Sequence, residues 1–293
     1  MQQIIESVPR RTIARVEDKV HMGPDVQVDD RNAIIAPTNQ RATDPFILLA
    51  EDWFSTNGFD WHPHRGLETV TYVVDGVLEH GDNLGNDGAL AAGDVQWMTA
   101  GRGIIHREMA FRNERAHILQ LWLNLPRAMK MIETRYQDLR AAARPILARK
   151  GVRLDVISGA IDGVAGRAAN HWPITGVIVT LEPNTSYDHA LPARDRAFFH
   201  VLAGKVVIGG RVVREGQTAW SDPVPRATAS IVDLTTRDGD RPSVVMTYSG
   251  QPVGEPVVMG GPFVMNSKAE IEQAFRDLHA GRFGPMPQRA RLQ

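Results

Sequence analysis

Apolar residues in this chain fall in short runs, and glycine, proline, asparagine or aspartate interrupts them every few positions. Within the runs, apolar and polar side chains often alternate, the period of a half-buried strand. The pattern predicts strands over Asp44–Ala50, Leu67–Val74, Val77–His80, Val95–Met98, a run starting at Ile104, and His117–Leu125. Along the last of these, His117, Leu119, Leu121 and Leu123 share one face, opposed by Ile118, Gln120 and Trp122. Asp75-Gly76 reads as a hairpin turn, and Gly93-Asp94 and Gly101–Gly103 read as further turns. Thr12–Arg15 and Ala33–Ile35 are weaker strand candidates in an irregular N-terminal segment.

Pro126 ends this series. Arg127–Leu139 shows some helical periodicity and reads as a connecting segment. A second β-rich half begins near Gly151. Its expected strands are Val152–Ile157, Thr175–Leu181, Ala197–Leu202, Lys205–Ile208, Val212–Val213, Thr228–Asp233 and Ser243–Tyr248. The chain closes differently. Ser267 and Glu270 form a capping-box pattern, Ile271, Ala274, Phe275 and Leu278 recur at helical spacing, and Gly281 supplies a stop. This predicts a helix over Ser267–Ala280. The implied division is 1–128, a connector 129–150, and 151–293 with the helix at its end. Many short strands between turns indicate an all-β sandwich or barrel class.

The halves resemble each other faintly: Tyr72–Leu78 and His200–Val207 both read as strand–Gly–strand hairpins. Aligning Gly76 with Gly204 puts Ala190 and Pro192 where His62 and His64 stand. His189 is one residue out of register, which on a strand means the opposite face.

Composition narrows the function. With no cysteine among 293 residues, disulfides, thiolate metal sites and cysteine nucleophiles are excluded. A formal net charge of −1 offers no footprint for nucleic acid. The opening MQQIIESVPRR lacks a basic stretch followed by a long apolar run, and no stretch approaches the ~18 apolar residues of a membrane helix. A cytoplasmic protein without membrane contact is expected.

Two residue pairs carry the candidate chemistry: His62-Pro-His64 and His106-Arg-Glu108. On strands, an i, i+2 spacing puts both members of a pair on one face. Side by side, the two strands would offer three imidazoles and a carboxylate to one divalent metal, leaving positions open for substrate. Glu108 has a second role in view, as a general base. Arg65 and Glu68 are candidates for orienting the ligands, Arg102 for meeting an anion, and Gln120 for lining the cavity. His80, His117, His171, His189, His200 and His279 lack partner spacing and read as surface or core histidines. Gln96–Met98 reads as core packing.

The chain also resembles the pirins, two-barrel members of the cupin superfamily. The resemblance is carried by Asp44-Pro-Phe46, HPHRGLETVTYV (62–73), GDVQWMTAGRGIIHREM (93–109), LQLWLNLP (119–126), RYQDL (135–139) and GGPFVMN (260–266). It implies two stacked jelly-roll β-barrels with a C-terminal helix, and one metal in the first barrel held by His62, His64, His106 and Glu108. Many cupins also use the glutamate that is Glu68 here; pirins do not. Pirins include proteins described as quercetin 2,3-dioxygenases and others described as metal-dependent regulators of partner proteins.

Three neutral imidazoles and one carboxylate on a divalent ion leave a net charge of about +1, which suits a chelating monoanion. Iron(II) is the expected metal, with manganese, nickel, cobalt, copper or zinc also compatible. A flavonol that loses its 3-hydroxyl proton to Glu108 fits, with dioxygen as co-substrate and carbon monoxide as co-product. The alternatives are an iron-binding regulator of a metabolic enzyme or transcription factor, and a metal-stabilised scaffold without chemistry.

Overall fold

The computed structural model describes residues 8–286 except 56, 57, 225, 238 and 240. The all-β expectation holds: antiparallel strands dominate, and among the described residues the one helix of more than a single turn is Lys268–His279. The chain forms two compact units, and they do not follow one linear cut. Val20–Ala143 joins the described residues from Val253 on, while Arg144–Pro252 joins the described residues up to Lys19. These units differ from a linear division at 128 and 151 by exchanging the two ends of the chain. The cause is strand and helix burial that sequence distance hides. Arg15–Asp18 pairs as an edge strand with Gln217–Ser221, and the last helix buries Ile271, Ala274 and part of Leu278 against Ile105, Phe263 and Phe283, while Phe275 of the expected stripe is exposed.

In the first unit, Leu67–Asp82 is a single strand of 16 residues, not a hairpin. Up to Gly76 it runs between Val95–Thr99 and Ala116–Asn124; beyond Gly76 it pairs with Asp87–Ala91 and Ile104–Ala110. Asp75-Gly76 is thus a corner at which one strand leaves one sheet for the other. Gly76 has φ 77°, and a Cβ there would stand 1.6 Å from the Arg115 carbonyl oxygen. Only glycine tolerates both conditions. The same holds for Gly204, φ 82°, between Arg196–Ala203 and Lys205–Ile208, which lie in different sheets. The sequence signal for a tight turn was real, but the chain turns a barrel corner there. The expected helical tendency of 127–139 is also corrected. Its second part, Arg135–Leu139, pairs with Val95–Thr99 as a sheet edge, and only Arg127–Met129 is a 3-10 turn.

The strand alternation places the core. In the first unit Phe54, Val73, Leu78, Leu90 and Ile118 pack together, and Ile47, Leu67, Met98 and Ile104 form a second cluster. In the second unit a seven-stranded sheet and a four-stranded sheet share one core. Val177, Phe199 and Val245 come from the first, and Leu191, Val206 and Val232 from the second.

Candidate metal centre

The site is built by one strand pair. Gly58–His64 runs antiparallel to Ile104–Ala110, with His62 opposite His106. The register slips between Phe59 and His62, so that Phe59 opposes Glu108. His62 and His64 share a face by their spacing, and His106 meets them from the neighbouring strand. Ring nitrogens of His62, His64 and His106 all lie within 4.8 Å of one another. Ring centroids are separated by 4.3 Å (His62–His106), 4.9 Å (His62–His64) and 5.0 Å (His64–His106).

Hydrogen bonding settles which nitrogens face the cluster. The Nδ1 atoms of His62 and His64 lie 2.7 Å from the Asp60 carbonyl oxygen and 3.1 Å from that of Pro262. A carbonyl can only accept, so both protons sit on Nδ1 and both Nε2 lone pairs are free. His64 Nε2 and both nitrogens of His106 are buried and have no hydrogen-bond partner. Burial, reinforced by the other imidazoles, holds His64 and His106 well below the ordinary histidine pKa. They are neutral at physiological pH, the state a metal requires. One His106 nitrogen carries the proton of the neutral ring, so the orphan acceptors are His64 Nε2 and the other His106 nitrogen. Buried orphan acceptors are costly, and a shared cation in this cluster would satisfy both. The donor set therefore fits a divalent metal of the imidazole-binding kind.

Glu108 is beside this cluster but not within it. Its Oε1 accepts from the Thr71 hydroxyl at 2.9 Å and its Oε2 from the Gln120 amide at 2.5 Å. Gln120 also donates to the Thr71 hydroxyl oxygen, and its own carbonyl oxygen accepts from Trp122 Nε1 at 2.9 Å, which fixes the direction of the amide. Burial pushes the Glu108 carboxyl up from its ordinary value; the Thr71 and Gln120 bonds oppose that rise. Trp122 stands edge-on to His64 at 5.0 Å.

The remaining candidates separate cleanly. Gln120 does reach the site. Arg65 and Glu68 do not pair: Arg65 bonds Asp277 at 2.7 Å, and Glu68 accepts from Thr99 at 2.6 Å. Arg102 is exposed and pairs with exposed Glu133. His80 is buried, bonds Asp138 at 3.1 Å and stacks on Tyr136. His189 faces inward: Tyr187, His189 and Leu191 are buried on their strand while Ala190 and Pro192 are exposed. The gapless alignment on Gly76 and Gly204 thus puts two outward residues at the ligand positions. Thr71, Trp122 and Pro262 escaped the sequence reading. Trp122 and Thr71 were reachable through the shared face with Gln120 and its cross-strand register. Pro262, nearly two hundred positions from His64, left no local signal.

Comparison with known proteins identifies the family. The family model described as "Pirin" matches residues 28–123, and the "Pirin C-terminal cupin domain" matches 176–284. Pirin-1 of Arabidopsis thaliana is 38% identical over 279 residues, covering 95% of this chain and 96% of that protein. Human Pirin is 37% identical over 248 residues, covering 82% and 83%. A solved quercetin 2,3-dioxygenase from Acinetobacter baumannii superposes with a TM-score of 0.85 at 28% identity, over 95% of this chain and all of that one. With both family domains matched in order and relatives aligned over nearly its full length, this chain belongs to the pirin family.

Proposed function

We propose that this protein is a metal-dependent dioxygenase that opens the heterocyclic ring of quercetin or a similar flavonol with dioxygen, releasing carbon monoxide. The observation that carries this reading is the cluster of three neutral imidazoles, of which His64 and His106 carry buried nitrogens with no hydrogen-bond partner. Similarity to a quercetin 2,3-dioxygenase supports the substrate class. His62, His64 and His106 would hold the ion, and Glu108, buried beside the cluster, would complete the set as a fourth ligand. When bound, the ion supplies Lewis acidity and a template for a chelating substrate.

The chain's own residues do the rest. Glu108 takes the flavonol hydroxyl proton. Its burial suits it to this, because a carboxylate with a raised pKa is the stronger base. Thr71 and Gln120 hold the carboxylate in place and stabilise its charged form between turnovers. Trp122, tied to Gln120, keeps His64 from rotating away and offers an apolar wall to an aromatic ligand.

The test follows flavonol absorbance with and without oxygen and traps carbon monoxide, using protein loaded in turn with iron, manganese, nickel, cobalt and copper. Turnover should require oxygen, and Glu108→Gln should lower it by about 10²–10⁴-fold. If no metal form consumes flavonol, or if Glu108→Gln matches the parent, this reading fails and a non-enzymatic, partner-binding role replaces it.

A further inference from the structure

We infer that the C-terminal segment from Pro262 to Phe283 positions the metal ligand His64, so that docking of the last helix and metal binding strengthen each other. The inference rests on the metal reading of the three-histidine cluster and not on the dioxygenase reaction.

The chain of contacts starts at the ligand. His64 Nδ1 donates to the Pro262 carbonyl oxygen at 3.1 Å. Such a bond sets both the tautomer and the ring angle of a metal-bound histidine. Pro262 lies between two short paired strands, Val258–Gly260 and Phe263–Met265. The second of these is fastened to the residues that follow His64. The Val264 amide donates to the Arg65 carbonyl oxygen at 3.0 Å. A Cβ on Gly66 would stand 2.1 Å from the Val264 carbonyl oxygen, so only glycine allows the approach. The buried Lys130 ammonium donates to the carbonyl oxygens of both Gly66 and Val264, at 2.9 Å each.

The helix grips the same place. Arg65, next to His64, is buried; its guanidinium donates to Asp277 of the helix at 2.7 Å and lies 4.4 Å from the Phe283 ring centre. A buried cation is tolerated only when paired, so Arg65 needs Asp277 in position. Phe263 packs between Phe275 and Phe283, with centroids 4.9 and 5.7 Å away. If the helix leaves, Arg65 loses its carboxylate and Phe263 its apolar cover, so the Pro262 carbonyl is held against His64 by the Val264 and Lys130 bonds alone. By linkage, whatever factor docking contributes to metal affinity, metal returns to docking.

The test uses the full chain with zinc as a diamagnetic probe. Zinc should slow amide exchange over 268–279 by about tenfold, in line with the affinity effects of residues that orient metal ligands. Asp277→Ala should raise the zinc Kd, read by competition with a chromophoric chelator, by about tenfold, and Asp277→Glu should recover most of the loss. Nitrogen-15 shifts of the His64 ring should report the Nδ1-protonated tautomer in the metal-free parent and a mixture in Asp277→Ala; a merely structural contact would leave them alone. Helix exchange indifferent to zinc in the parent overturns the inference, as does a zinc affinity that is the same in all three proteins. A parent that takes up no divalent metal overturns the metal reading itself, and this inference with it.

Discussion

In the first unit, Gly58–His64 and Ile104–Ala110 turn His62, His64 and His106 toward one another, with Glu108, Thr71 and Gln120 buried beside them. In the second, Ser186–Pro192 turns Tyr187, His189 and Leu191 inward among Phe199, Val232 and Leu234. Strand alternation works alike in both: it decides which side chains face the interior. What those side chains are decides whether the interior is a site or a core. Burial, with some help from neighbouring imidazoles at His64 and His106, holds the three imidazoles neutral, and they need a common partner. A lone imidazole among apolar groups is a cost: burial pushes His189 down to about 4, and its Nδ1 has no hydrogen-bond partner.

The contrast breaks most directly by metal analysis. Protein purified without chelators should carry one metal per chain, and His62→Ala with His106→Ala should carry none. Two equivalents in the parent, or one retained in the double variant, would mean that the second unit also binds metal. Next in size, stripping the metal should lower the first unit's stability. A ligand present at a hundred times its Kd stabilises by about 2.7 kcal/mol, which corresponds to roughly 5–10 °C in Tm for a unit of this size. Hydrogen exchange should rise mainly around 60–110; an even rise through 150–250 would erase the distinction.

The second unit makes its own prediction. The unfolded chain protonates His189 as pH falls below about 6.5, while the folded chain resists until about 4. Stability from this group is therefore complete above pH 6.5 and lost between 6.5 and 4. By pH 5 the loss should be about 2 kcal/mol, and His189→Leu should flatten it. Urea titrations of metal-free protein at pH 7.5 and pH 5 compare the two; equal acid sensitivity in parent and variant would contradict the assignment. The smallest effect is expected at His279, exposed at the end of the last helix. Its replacement by alanine should leave metal content and turnover unchanged, and a measurable loss there would show that residues outside the histidine cluster hold the metal.

Much of the candidate site was readable from the chain. The spacings of His62/His64 and His106/Glu108 name one face of each strand without any knowledge of the fold, because side chains on a strand alternate. The final helix was readable too. Ser267 caps it by accepting from the Glu270 amide, and Ile271 and Ala274 are buried as the stripe predicted. Glu270 reaches back one residue further than the usual capping box, to the Asn266 amide. The glycine at 76 was found but misread. A positive φ is needed equally by a hairpin turn and by a strand bending from one sheet to another, and local sequence does not separate the two.

By itself, then, the sequence determined the elements whose cause is local: strand faces by alternation, the helix by its cap and period, and a candidate metal-ligand set by residue type and spacing. Tertiary structure alone decided what depends on groups far apart in the chain. It sent Arg15–Asp18 to pair with Gln217–Ser221. It placed His189 inside and Ala190 and Pro192 outside. It turned Glu108 to Thr71 and Gln120, outside the histidine cluster. It brought the Pro262 carbonyl to His64 and Asp277 to Arg65. His189 inside is a cost of strand alternation. The others share a physical reason: each satisfies a backbone edge, a buried polar group or a buried charge, and its partner is found only once the sheets have closed.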